Sequence, residues 1–177
     1  MSITIYKPNS KNSGCAFSFR YGIQDNKEPC LYVSAIQQHS WDQKTKTGNF
    51  ASNANDFSKN LKIKFNEFEC GSMISCFKRR YEYNTFHTFE DNKTTIKISP
   101  WDKKIKVSSL NSSTKKIEEK TRILPAFGIS ITRNGADSFK ISLEPGEVEV
   151  LSEFIRNLIS RIVDFRINSQ IEKIKNS

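Results

Sequence analysis

The sequence predicts an α+β fold built as two successive halves, each of four strands followed by one helix. Three observations carry that reading. Within Ser138–Phe165, Phe139, Ile141 and Leu143 alternate with Lys140 and Ser142, and then Val148, Leu151, Phe154, Ile155, Leu158, Ile162 and Phe165 recur at three- and four-residue steps. A period of two that gives way to one near 3.6 is a strand running into an amphipathic helix. The change falls at Glu144-Pro145-Gly146-Glu147, where Pro145 suits a first helical turn and Glu147 sits where the helix dipole favours negative charge. A weaker copy lies upstream. Leu61, Ile63 and Phe65 alternate with lysines, Asn66 stands as an N-cap with Glu69 three residues on, and Phe68, Ile74, Phe77 and Tyr81 form a partial apolar stripe. Aligned, LKIKFNEFE and FKISLEPGE agree in pattern position by position. The halves run over about 1–83 and 84–166 of one domain spanning 1–177, with 167–177 a helix end or tail.

In the first half, Ile3–Tyr6 is a short strand closed by the turn signal Lys7-Pro8-Asn9. Cys15–Tyr21 places Cys15, Phe17, Phe19 and Tyr21 on one side and Ala16, Ser18 and Arg20 on the other. Cys30–Trp41 reads as a longer strand, Asp42–Ser58 as a long polar connection, and Leu61–Phe65 as the fourth strand before a helix to about Arg80. The second half opens with Thr85–Phe89 and Thr94–Ile98 around a hairpin loop at Glu90–Lys93. Trp101–Glu119 is expected to continue a strand and then become a flexible loop. Its Lys103, Lys104, Lys106, Lys115 and Lys116 make it the most basic tract. Arg122–Arg133 is the third strand, with a bend at Pro125 or Gly128. Asn134-Gly135 is a two-residue hairpin turn into Phe139–Leu143 and the long helix.

The chain of 177 residues is long enough to close a core without staples. Its net charge of +9 points to a polyanionic partner or an anionic surface. Cys15, Cys30, Cys70 and Cys76 show no metal-ligand spacing and His39 and His87 stand alone, so no metal and no cofactor is expected. With no apolar leader at the start and no membrane-spanning run, the cysteines read as reduced thiols of a cytoplasmic protein. No clustered carboxylates, activated nucleophile or phosphate-cradling glycine loop is present, so no enzyme is expected. The long helix begins with Glu147, Glu149 and Glu153, which disfavours it as a duplex-reading helix.

Two strand–strand–strand–strand–helix units in a basic chain of this size resemble the whirly superfamily of single-stranded nucleic-acid-binding proteins, which takes in the positive-cofactor-four type coactivators and small phage and bacterial relatives. The resemblance covers nearly the whole chain and is most specific at FKISLEPGEVEVLSEFI. The stretches LYVSAIQQHSW, LKIKFNEFE and TFHTF with TTIKISPW look like phage-type members. The chain departs from the plant proteins in lacking a clear KGKAAL-type motif. TKTGNFA at Thr45–Ala51 occupies a comparable basic-glycine position, and no contact is carried over to it. The resemblance implies two antiparallel sheets packed against helices, assembly into a homo-oligomer (dimer or tetramer), and sequence-tolerant binding of single-stranded DNA, with RNA as the alternative.

The residues fit that chemistry on their own terms. Single strands are held by aromatic faces that stack bases beside cations that neutralise phosphates. Arg20, Tyr32, Trp41, Lys44, Lys46, Phe86, Phe89, Lys97, Trp101 and Arg122 supply that interleaving on strands and adjoining loops, and Lys103, Lys104 and Lys106 join them from the basic tract. Phe17, Phe19 and Phe139 read as core instead. The rival class is a structural or adaptor protein, virion- or polymerase-associated, that uses the same fold for protein contacts. The Lys/Asn/Ile/Ser bias suggests an AT-rich genome, of a phage or a low-GC bacterium, and a role in replication, recombination or transcription.

Overall fold

The structure, a computed structural model, describes residues 1–110 and 117–175. Its element order is β1 (Ser2–Lys7), β2 (Cys15–Ile23), β3 (Pro29–Gln37), β4 (Ser40–Asp42), β5 (Thr47–Asn49), a 3-10 turn at Ala51–Asn53, β6 (Asn60–Phe65), α1 (Glu67–Arg79), β7 (Tyr83–Phe89), β8 (Asn92–Leu110), β9 (Ile117–Arg133), β10 (Asp137–Leu143) and α2 (Pro145–Lys175). Sheet 1 runs in the order β1-β2-β3-β6 and sheet 2 in the order β10-β9-β8-β7, every pairing antiparallel; β4 and β5 form a separate two-stranded ribbon.

Alternation decides which face of each sheet is buried. Phe17, Phe19, Leu31, Val33, Ile63 and Phe65 of sheet 1 turn inward, as do Ile96, Ile98, Ile129, Ile131, Phe139 and Ile141 of sheet 2. The buried stripe of α2, Leu151, Phe154, Ile155, Leu158 and Ile162, joins the same cluster. Each such side chain contributes about 1.5–3 kcal/mol by leaving water. β10 lies against β2 and β3, and the Gln37 side chain donates to the Ser138 carbonyl oxygen at 3.1 Å. The core reading of Phe17, Phe19 and Phe139 holds: all are at most 1% exposed.

The duplicated strand-to-helix joint appears in atomic detail. At α1, Asn66 Oδ1 accepts from the Glu69 amide at 2.9 Å while Glu69 Oε2 accepts from the Asn66 amide at 3.0 Å. At α2, Glu147 Oε2 accepts from the Glu144 amide at 2.8 Å, the same three-residue reach-back. Both satisfy an amide that a helix start otherwise leaves orphaned.

Two boundaries differ from the sequence expectation, each for a physical reason. The Cys30–Trp41 strand is cut at Gln38, whose amide group is buried and fully engaged. Its Oε1 accepts from the Asn9 amide at 2.8 Å, and its Nε2 donates to the Asn9 and Ser40 carbonyl oxygens at 3.0 Å each. Beyond it the chain folds back as the β4–β5 ribbon, so the polar connection carries two strands of its own. The Trp101–Glu119 tract continues as strand on both sides: β8 runs unbroken to Leu110 and β9 starts at Ile117, paired in register from Trp101–Ala126 to Leu110–Ile117. Lys115 and Lys116 lie outside the described residues. Of the two alternatives for the end of the chain, α2 takes the helical one and runs to Lys175, because Ile167, Ile171 and Ile174 keep the helical period past Phe165.

Candidate nucleic-acid interface

Strand register places three rows of side chains across the outer face of sheet 1. Ser2, Arg20, Tyr32 and Lys64 form one row; Thr4, Ser18, Ser34 and Lys62 the next; Tyr6, Ala16, Ile36 and Asn60 the third. Arg20 and Tyr32 are therefore direct cross-strand neighbours, with the guanidinium carbon 5.8 Å from the ring centroid, and Lys62 Nζ lies 4.2 Å from the same centroid. Both distances fall within cation–π reach. Gly22 is the reason Tyr32 can lie where it does, since a Cβ there would strike the ring carbons Cδ2 and Cε2. Lys62 and Lys64 were passed over in the sequence, where they read only as the solvent-facing half of an alternation; their register with Tyr32 was the missing signal. Among the described residues, Arg20, Lys62 and Lys64 enter no ion pair, and Lys64 donates to Gln24 Oε1 at 3.0 Å.

The same row opens onto a cleft of about 800 Å³ between the edge strands β6 and β7, lined among others by Tyr32, Lys62, Lys64, Phe57, Phe89 and Arg133. Phe89 stands 74% exposed at its rim. Arg133 builds the floor. It is 4% exposed, pairs with Asp137 Oδ2 at 2.6 Å, donates to the Asn60 and Phe57 carbonyl oxygens, and lies 3.9 Å from the centroid of Phe57. Sequence reading missed this residue because the two partners that place it in the floor, the Asn60 and Phe57 carbonyl oxygens, are 73 and 76 positions away.

The other candidates fall elsewhere. Phe86, Lys97, Trp101, Lys103 and Arg122 share the outer face of sheet 2, with Phe86 65% and Trp101 41% exposed. There part of the charge is compensated: Lys97 pairs with Glu82 at 2.7 Å and Lys103 with Glu144 at 2.5 Å. The Lys97 ammonium, with help from Asn84, pulls the Glu82 carboxyl down to about 2, so this pair persists through mild acid. Lys104 and Lys106 point to the opposite side of the β8–β9 arm, and Lys106 lies 3.3 Å from Glu119. Trp41, Lys44 and Lys46 sit on the ribbon; the Trp41 ring is half-buried opposite Gly48, with its indole N–H unpartnered. Of the thirteen expected residues only Tyr32 and Phe89 line the cleft, with Arg20 beside Tyr32.

Among the described residues no group of His, Cys, Asp and Glu is arranged to hold a metal ion, and no helix is long and apolar enough to cross a membrane. All four cysteines are free and buried.

This arrangement of sheets and helices resembles that of solved structures. WHY1 from Arabidopsis thaliana superposes with a TM-score of 0.56 at 14% identity, covering 99% of this chain and 92% of that one. The plant transcriptional regulator PBF-2 gives 0.54 at 12% identity, covering 96% and 86%. The fold is whirly-like. No family model matches the sequence, and no curated protein matches it.

Proposed function

We propose that this protein binds single-stranded DNA with little sequence preference, without catalysis, through the outer face of sheet 1 and the β6–β7 cleft. The observation that carries the reading is the cluster of Arg20, Tyr32, Lys62 and Lys64. It sets three cations free of acidic partners around one aromatic ring, at the mouth of a cleft rimmed by Phe89. Free cations attract phosphates and release counterions, and exposed rings stack bases of any identity. The outer face of sheet 2 offers rings as well, but two of its lysines, Lys97 and Lys103, are already held by carboxylates. Sheet 1 is therefore the primary surface, and Trp101, Phe86 and Arg122 extend it for a longer strand. RNA remains the competing substrate.

The protein acts as a homo-oligomer, a dimer or tetramer. Val163, Ile167, Ile171 and Ile174 support this: they leave an exposed apolar stripe down the last turns of α2. Replication, recombination or transcription in a bacterial or phage-infected cytoplasm is the setting that the basic, Lys- and Asn-rich composition suits. The test is photocrosslinking with a bromodeoxyuridine-substituted oligonucleotide, followed by peptide mapping. Adducts at Tyr32 and Phe89 are expected; adducts confined to Trp41 or to α2 would contradict the assignment.

A further inference from the structure

Beside the cationic row, and adjoining the cleft at Asn60–Lys62, lies a second groove of about 810 Å³ on the outer face of sheet 1. Its floor is the two remaining rows, and its roof is the end of the β4–β5 ribbon with residues 50–54. The size falls in the range of small-ligand pockets. The roof is fixed in place. Asn60 Nδ2 donates to the carbonyl oxygens of Asn53, Ala54 and Asp56 at 3.1, 2.8 and 2.9 Å, and Asn53 Nδ2 donates to the Gln37 carbonyl oxygen at 2.9 Å. Gly48 lets the ribbon close onto Pro8, where a Cβ would meet the proline ring at 2.5 Å. At the far wall Tyr6 and Phe50 meet edge to face with centroids 5.7 Å apart.

The chemistry of this surface is graded in one direction. It passes from the Arg20–Tyr32–Lys64 row, through the hydroxyls of Thr4, Ser18 and Ser34, to the apolar wall of Ile36, Tyr6 and Phe50. Adjacent rows lie two residues apart along each strand, about 7 Å. Lys62 stands at the hinge of the two surfaces, lining both the groove and the cleft. A charged edge, a hydroxyl band and an aromatic wall in that order match the phosphate of one nucleotide, the polar edge of its base and the face of that base.

We infer that the ribbon-roofed groove is a nucleobase pocket: it takes one unstacked base from a strand whose phosphates are held by Lys62, Arg20 and Lys64. This rests on the single-strand reading above and deepens it, because it assigns a base-holding role to a surface that carries none of the aromatic residues singled out in the sequence. Hydroxyls that both donate and accept face the base edge, so the pocket tolerates different bases.

The experiment compares oligo-dT with an abasic phosphodiester of equal length and charge, on the full chain. Phe50→Ala and Ser34→Val should weaken dT binding roughly ten-fold, the worth of one stacked base, and leave abasic binding unchanged. Lys62→Glu should weaken both. Independently of any variant, the methyl resonances of Ile36 and Ala54 in the wild-type protein should shift with dT and not with the abasic strand, through the ring current of the bound base. Wild-type affinity for dT in both pocket variants, or silent methyls while dT binds, would overturn the pocket and leave the single-strand reading standing. Failure of the wild-type protein to bind dT at all would overturn that reading and the pocket with it.

Discussion

Arg133 shows what a single side chain does for the site. Its guanidinium is buried, and it ties β9 to Asp137 and to the loop before β6. Arg133→Ala would strand the Asp137 carboxylate and two carbonyl oxygens, so a loss of about 3–5 kcal/mol in unfolding free energy is expected. Denaturant melts check this; a loss below about 1 kcal/mol would mean the loop holds without it. Gly22→Ala should instead leave stability little changed and displace Tyr32, lowering affinity for single strands. The thiols carry a third prediction. Burial pushes Cys70 up to about 12 and Cys76 to about 11, from an ordinary 9.0, so at neutral pH both are thiols and poor nucleophiles. Their contribution to stability is whole below pH 9 and declines as pH rises toward 11–12, because the unfolded chain then ionises more readily. Iodoacetamide at pH 8 should therefore label them only after unfolding, as mass spectrometry would show. Sequence alone could pick out Tyr32 and Arg20, which stand in recognisable strands. It could not find Lys62, Lys64 or Arg133, whose partners are set by pairing across the sheet.

At the level of elements, the two strand-to-helix joints were legible because their chemistry is local: a cap, a carboxylate three residues on, and a change of apolar period. Asn66→Ala should cost about 1 kcal/mol of stability by releasing the Glu69 amide. Glu69 also holds His87 at 2.6 Å, so Glu69→Gln is expected to loosen β7 as well as the helix start, seen as faster amide exchange along Tyr83–Phe89. The β8–β9 arm was half legible. Its lysine-rich tract read as strand giving way to loop and Pro125 as a bend, whereas continuous pairing with a partner strand keeps the backbone extended through Pro100 and Pro125. The ribbon was not legible at all, since three-residue strands leave no period to count. What holds it is Gln38, a residue with no motif around it. If the arm joins the bound strand, reversing Lys103, Lys104 and Lys106 together will lower affinity and flatten its salt dependence; unchanged binding would remove the arm from the interface.

For the whole molecule, a net charge of +9 sets the sign of the long-range field, and the placement of acids decides where that field is left uncovered. Glu82 and Glu144 each pair with a lysine of sheet 2, while among the described residues none of Arg20, Lys62 and Lys64 enters an ion pair. The two sheets, alike in strand number and in the joint that ends them, are thus electrostatically unlike, and the account gives the primary contact to sheet 1. The measurement that tests this most directly is fluorescence anisotropy with labelled oligo-dT, the matching RNA and a duplex, titrated at several salt concentrations against the wild-type chain and an Arg20→Gln, Lys62→Gln, Lys64→Gln triple variant. The account expects the wild type to prefer the single strand over duplex with a steep salt dependence. It expects the variant to lose affinity and about two units of the log–log salt slope. Single-strand binding with the same slope in both proteins, or no binding to any of the three at low salt, would contradict it.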